Sequence, residues 1–199
     1  MVVKIPDDVS GLIYDLDGTL IDSMPVHYQA YNAGLEPYNV VYPKEVFLSR
    51  AGIPTIDTLK MIERDYQIPN FNIEEVLERK RKYLKDNLER VKLIDPVFDI
   101  VKQYHKVLPM SIGTGSHRSM VDRVVSQLGI NKYIDIVVTA DDVKRHKPYP
   151  DTFLKCADLM KIDPKECLVF EDGVPGIKAA EEAGMKVIDV REFLPTVLD

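Results

Sequence analysis

Apolar and polar positions alternate in two different rhythms along this chain. Gly11-Leu-Ile-Tyr-Asp15 is a short apolar run followed at once by Gly18, which reads as a buried strand ending in a loop. From Asp22 the spacing changes to that of helices. Val26, Ala30, Ala33 and Gly34 mark a first helix, and Ile56, Leu59, Met61 and Ile62 a second. Ile73, Val76, Leu77, Leu84 and Leu88 mark a third, with Lys80, Arg81, Lys82 and Lys85 assigned to its solvated side. Between Asp22 and Lys92 no stretch reads as a strand.

Beyond Asp95-Pro96 helices and strands alternate. A helix through Val97 to Tyr104 precedes a strand around Leu108–Ile112, and a helix from Met120 ends at Gly129. A strand at Ile134–Thr139, a helix at Thr152–Met160 and a strand at Cys167–Phe170 follow. A helix at Ile177–Ala183 and a strand at Lys186–Val190 complete the series. Such alternation predicts parallel βαβ units. The fold class expected is α/β, a doubly wound parallel sheet with an α-helical cap inserted after the first strand. The expected boundaries are 1–21 with 94–199 for the discontinuous core, and 22–93 for the cap.

In an open parallel sheet, ligands bind at the carboxyl ends of the strands. Those ends carry Asp15-Leu-Asp17-Gly18-Thr19, then Gly113-Thr114-Gly115-Ser116, then a loop with Asp141, Asp142 and Lys147-Pro148, then Glu171-Asp172-Gly173. This layout suits phosphoryl transfer. Asp15 and Asp17 are two apart, so an extended strand end points them the same way. Their mutual repulsion is relieved by a divalent cation, and Asp172 can complete an oxygen set for Mg²⁺. The cation also lets a carboxylate nucleophile approach an anionic phosphate. Thr114 and Gly115 offer a hydroxyl and backbone N–H groups to phosphate oxygens, and Lys147 a fixed positive charge.

Each feature has a plainer reading. Asp-x-Asp is usually a solvated turn, Gly-Thr-Gly-Ser a helix cap, Lys147 a surface lysine, and Glu171-Asp172 a pair of capping acids. Asp-x-Asp-Gly-Thr arises by chance in about one chain of this length in a thousand. The order of all four motifs, each on its own strand end, favours the chemical reading.

These residues resemble the four motifs of the haloacid dehalogenase superfamily of phosphatases and phosphomutases, and the helical insertion resembles the cap of its β-phosphoglucomutase-like branch. The stretches Ser111–Ser116, Ala140–Lys147, Pro150–Leu154 and Val187–Arg191 resemble bacterial phosphatases of fructose 1-phosphate most closely. The resemblance implies that Asp15 is the nucleophile forming an aspartyl-phosphate and that Asp17 is the general acid and base. Thr114, Gly115 and Lys147 would hold the phosphoryl group. Mg²⁺ would be bound by Asp15, Asp172 and the Asp17 carbonyl, with Glu171 beside it. Gly173 and Tyr149 depart from the residues common in relatives.

For substrate choice the candidates are His27, Gly52, Thr55 and Lys80 in the cap, with Arg118 after the Thr114 turn. His27 reads equally well as a partly buried helix histidine, and Lys80 as one charge in a basic run. Phosphomutases of the family carry an arginine where Thr55 stands, and its loss removes the strongest grip on a second phosphate. A phosphatase is therefore expected, acting on small phosphorylated metabolites such as fructose 1-phosphate. The alternatives are a sugar phosphomutase and a regulatory module without turnover.

Composition narrows the partners. The chain has 199 residues, a formal net charge of −6 and 45% hydrophobic residues, the profile of a soluble globular protein. A net acidic surface repels phosphate backbones, so no nucleic-acid partner is expected. The apolar runs are too short to span a membrane, and the N-terminus lacks the apolar segment of a secretory signal. Cys156 and Cys167 lack metal-ligand spacing and read as buried thiols in a reducing cytoplasm.

Overall fold

The computed structural model describes residues 4–50, 53–192 and 194. In chain order the elements are β1 (Gly11–Tyr14), β2 (Ile21–Asp22), α1 (Met24–Leu35), α2 (Lys44–Ser49), α3 (Thr55–Tyr66) and α4 (Ile73–Asp86). Next come β3 (Lys92–Leu93), α5 (Asp95–Tyr104), β4 (Met110–Gly113), α6 (Arg118–Gln127) and β5 (Ile136–Val138). The last are α7 (Asp151–Met160), β6 (Cys167–Glu171), α8 (Val174–Glu182) and β7 (Lys186–Asp189). Two compact units result, Met1–Asp22 with Lys92–Asp199, and Ser23–Val91.

The first unit holds a five-stranded parallel sheet in the order β5-β4-β1-β6-β7, flanked by helices. Strand β1 is central, and Leu12, Ile13 and Tyr14 are wholly buried. That explains why it reads as an unbroken apolar run rather than an alternation, since both faces of a parallel sheet are covered. From β1 the chain steps outward to β4 and β5, then crosses back to β6 and β7 on the other side. The order therefore reverses at β1, which makes its carboxyl end a topological switch point. Register fixes what meets there: Tyr14 lies opposite Ile112 of β4 and Phe170 of β6. The Tyr14 and Phe170 rings stack 4.9 Å apart. The residues just past this level on β1 and β6 are Asp15 and Glu171.

Beneath the sheet, Ile13, Val138 and Val169 pack with Phe153, Cys156, Ala157 and Met160 of α7 and Ala179 and Ala180 of α8. Cys156 and Cys167 are free thiols in this layer, and burial pushes them up to about 12 and about 11.

The second unit is a helical cluster. Tyr31 and Leu35 of α1 pack with Phe47 of α2, Leu59 and Ile62 of α3, and Val76 and Leu77 of α4. Asn72 caps α4 by accepting the Glu75 N–H at 3.2 Å.

The chain departs from the sequence expectation in three places. Helix α2 shows no apolar period because it has six residues and buries only Phe47. Strands β2 and β3 pair antiparallel over two residues each, too short for any alternation to register. Asp22, Lys92 and Leu93, which form this pair, belong to the first unit. Third, Lys80 is only 6% exposed rather than solvated. It stands four residues after Val76 and four before Leu84, on the buried stripe of α4.

Candidate active site

The switch point collects charge from three loops. Asp15 continues β1, its N–H donating to the Phe170 carbonyl at 2.9 Å. Lys147, from the loop after β5, donates its Nζ to Asp15 Oδ1 at 2.6 Å and to Glu171 Oε1 at 2.8 Å. All three side chains are nearly inaccessible to water. The ammonium also lies 4.5 Å from the centre of the Phe153 ring. Burial works to lower the lysine's proton affinity, but Asp15 and Glu171 overcome it, so Lys147 stays charged well above the ordinary lysine range.

Asp172 follows on the same strand end. Thr19 donates its hydroxyl to Asp172 Oδ1 at 2.9 Å. Burial and then the Glu171 charge push Asp172 up to about 6, against the pull of Thr19 and Lys147. Burial pushes Asp15 well above the usual carboxylate range too, opposed by Lys147 and reinforced by Glu171 and Asp172. One oxygen each from Asp15, Glu171 and Asp172 lie within 4.8 Å of one another. Three carboxyl groups thus face one ammonium, an excess of negative charge that a divalent cation would balance.

Two glycines let the acids approach the backbone. Gly18 has φ +90, and a Cβ there would lie 2.3 Å from Asp172 Oδ2. At Gly176, in the first turn of α8, a Cβ would lie 1.8 Å from Glu171 Oε1. Glu171 cannot swing aside cheaply, because Lys147 holds Oε1 and the Gly173 N–H donates to Oε2 at 2.5 Å. Gly176→Ala is therefore expected to destabilise the protein by about 1–3 kcal/mol, read as a lowered urea midpoint. An unchanged midpoint would show that the Glu171 carboxyl is not held as described.

Asp17 and the turn after β4 form the other half of the site. Ser116 donates its hydroxyl to Asp17 Oδ2 at 2.6 Å. The Ser116 N–H donates to Thr114 Oγ1 at 3.0 Å, and the Thr114 N–H to the Val138 carbonyl at 2.9 Å. Because Thr114 Oγ1 already accepts, its own proton remains to be donated. Of the backbone donors expected to serve phosphate in this turn, those of Thr114 and Ser116 are spent internally, whereas Gly115 is exposed. Thr19 and Ser116 were not singled out as site residues from the sequence. Both lie inside the motifs, so position within a motif was the available signal.

The substrate candidates have other surroundings. Arg118 donates to the Val137 carbonyl at 2.9 Å and pairs with Asp142, while its N–H donates to Asp141 Oδ2 at 2.8 Å. Its guanidinium thus ties α6 to the end of β5. In the helical unit, Lys80 Nζ sits 4.7 Å from the centre of the Tyr31 ring. Burial raises the Tyr31 phenol, while hydrogen bonds with Thr55 and Thr58 act to lower it, which groups Thr55, Tyr31 and Lys80 together. His27 is half-buried on α1. Arg50 pairs with Asp65 and lies 5.9 Å from the centre of the Tyr42 ring. Gly52 lies outside the described residues. Tyr149 is 50% exposed and carries the Arg145 guanidinium 5.0 Å from its ring centre. Among the described residues, no helix is long and apolar enough to cross a membrane.

Comparison with known proteins agrees with this geometry. The family model for haloacid dehalogenase-like hydrolases matches residues 12–190. The fructose-1-phosphate phosphatase YqaB of Escherichia coli is 40% identical over 188 residues, covering 92% of this chain and 96% of that protein. A phosphorylated carbohydrates phosphatase of Thermotoga maritima is 28% identical over 184 residues, covering 90% and 84%. Among solved structures, a haloacid dehalogenase-like protein of unknown function from Agrobacterium tumefaciens superposes with a TM-score of 0.78 at 30% identity, covering 90% of this chain and 81% of that one. The chain belongs to the haloacid dehalogenase-like hydrolase family, and within it to the phosphoric monoester hydrolases.

Proposed function

We propose that this enzyme hydrolyses small sugar phosphates, with fructose 1-phosphate the first substrate to test, through a phosphoryl group carried on Asp15. The observation that carries the reading is the pairing of Asp15 with Lys147 at 2.6 Å, in a cluster with Glu171 and Asp172 and two residues before a second acid. A buried carboxylate held by a fixed cation is positioned as a nucleophile, and the same cation neutralises an arriving phosphate. The sugar-phosphate assignment is supported by the two phosphatase relatives.

The donor set fits Mg²⁺: hard oxygens only, few in number, with more negative charge than Lys147 balances. Asp15, Asp172 and the Asp17 carbonyl would hold the ion. Glu171 would act beside it, since its two oxygens already serve Lys147 and Gly173. When bound, the ion supplies charge neutralisation between the carboxylates and the phosphate.

In the first step an Asp15 oxygen bonds to phosphorus as the bond to the sugar oxygen breaks, and Asp17 gives that oxygen a proton. In the second, Asp17 removes a proton from water as the water oxygen bonds to phosphorus and the Asp15–phosphorus bond breaks. Thr114, Gly115 and Lys147 hold the phosphoryl oxygens in both. Among the sugar-contact candidates, His27, Thr55 and Lys80 belong to the helical unit and Arg118 to the core unit. Arg50 pairs with Asp65, and Thr55 stands where phosphomutases of the family carry an arginine, so the strongest grip on a second phosphate is removed, which favours water over phosphate return.

The test supplies fructose 1-phosphate and β-glucose 1-phosphate with Mg²⁺. A phosphate dye follows hydrolysis, while glucose-6-phosphate dehydrogenase follows isomerisation. Phosphate release from fructose 1-phosphate, little isomerisation even with a hexose bisphosphate, and loss of activity in chelator are expected. Isomerisation that outruns phosphate release makes the enzyme a mutase. Full activity in chelator removes the ion from the mechanism.

A further inference from the structure

The proton-transfer role of Asp17 leaves open what aims its carboxyl. Asp17 lies in the loop after β1, half-buried, and its carboxyl is not one of the three clustered around Lys147. A carboxylate so close in sequence to Asp15 would be drawn toward any positive charge in that cluster. Ser116 opposes this by holding Oδ2 at 2.6 Å from a residue 99 positions away in sequence. Ser116 is itself fixed. Its N–H donates to Thr114 Oγ1 at 3.0 Å, and its carbonyl accepts the Ala140 N–H at 3.0 Å. Its backbone is thus pinned to the ends of two strands, and its hydroxyl is delivered from a rigid frame.

We propose that Ser116 is a positioning residue that orients the Asp17 carboxyl for the proton it gives and takes in the two steps. The inference rests on the phosphatase reading above. A hydroxyl that donates to Oδ2 fixes the plane of the carboxyl and the direction in which the acid presents its proton. The Asp17 proton passes to the leaving alkoxide as the phosphorus–oxygen bond breaks, and the carboxylate takes a proton from water in the second step. Ser116 exchanges no proton in either step. By linking Thr114 to Asp17 it also sets the acid's position relative to the turn that holds the phosphoryl group.

The test separates orientation from folding. Ser116→Ala, Ser116→Thr and Ser116→Val are compared on fructose 1-phosphate, whose alkoxide needs a proton to leave, and on p-nitrophenyl phosphate, whose nitrophenolate does not. Thermal melting monitors the fold. Thr and Val share a branched shape and differ in the hydroxyl, so their comparison stands even if Ala perturbs the loop. Loss of the hydroxyl is expected to lower kcat on fructose 1-phosphate on the order of tenfold or more, with KM nearly unchanged. The nitrophenyl ester should lose less than about threefold, and Thr should retain most of the activity that Val loses. Equal losses on both esters, or a change confined to KM, would overturn the positioning role. If the unsubstituted enzyme hydrolyses neither ester, the phosphatase reading falls and this inference with it.

Discussion

Asp15→Asn is expected to lower turnover of every phosphate ester on the order of 10⁴-fold or more and to abolish the acid-stable label left on the enzyme by a radioactive substrate. The amide cannot form the acyl-phosphate bond, so no leaving group rescues it. Asp17→Asn should behave differently, keeping the nucleophile while removing the proton donor. Its expected loss is about 10²–10³-fold on a sugar phosphate and less than about tenfold on p-nitrophenyl phosphate. Equal losses at Asp17 would assign that residue a role other than proton transfer. The Asp15 variant should also melt no lower than the parent in chelator. Burial disfavours the Asp15 carboxylate, and Lys147 keeps Glu171 as a partner at 2.8 Å. A chemical loss without a folding loss is the signature of a nucleophile. A lowered melting temperature would instead show that the Asp15 charge helps to hold the strand ends together.

Lys147→Ala should produce the opposite pattern, a large loss of stability together with activity. The ammonium is the nearest positive charge to both Asp15 and Glu171, and its removal leaves two buried carboxyl groups facing each other. Breaking a buried ion pair from one side costs about 3–5 kcal/mol, because the remaining charge has lost both water and partner. The ammonium also lies 4.5 Å from the centre of the Phe153 ring, a contact that alanine loses as well. Urea denaturation in chelator reads the loss. Adding Asp15→Asn to Lys147→Ala should recover part of it, since the double variant no longer confronts two carboxylates. Strict additivity of the two substitutions would mean that Lys147 and Asp15 do not interact as their 2.6 Å separation implies.

Much of this site was legible before the fold. Buried parallel strands read as apolar runs, and the motifs stand where those runs stop, so Asp15, Thr114 and Glu171-Asp172 could be placed at strand ends from order alone. The central sheet followed from the same alternation. The helical block was visible as a change of period, although α2 and the β2–β3 pair were not, because elements of six and two residues carry no period. Lys80 shows a different limit. Its charge argued for solvent, while its spacing from Val76 and Leu84 argued for burial, and spacing prevailed. A lysine's long stem can follow an apolar stripe and still place its ammonium against an aromatic face, here Tyr31.

Local order along the chain was enough to name the acids, the lysine and the Thr114 hydroxyl, and to say that they follow strands of one sheet. Which of them touch was settled by register and side-chain reach. Lys147 meets Asp15 across 132 positions of sequence, Thr19 meets Asp172 across 153, and Ser116 meets Asp17 across 99. Periodicity reports whether a residue is buried on its own element, and it carries no term for a partner on another strand. The same limit explains Arg118, which its neighbours made a candidate for substrate and which the packing of α6 against the end of β5 binds to Asp142 and the Val137 carbonyl. A charged side chain goes where its desolvation is best compensated, and that compensation exists only once the strands stand side by side.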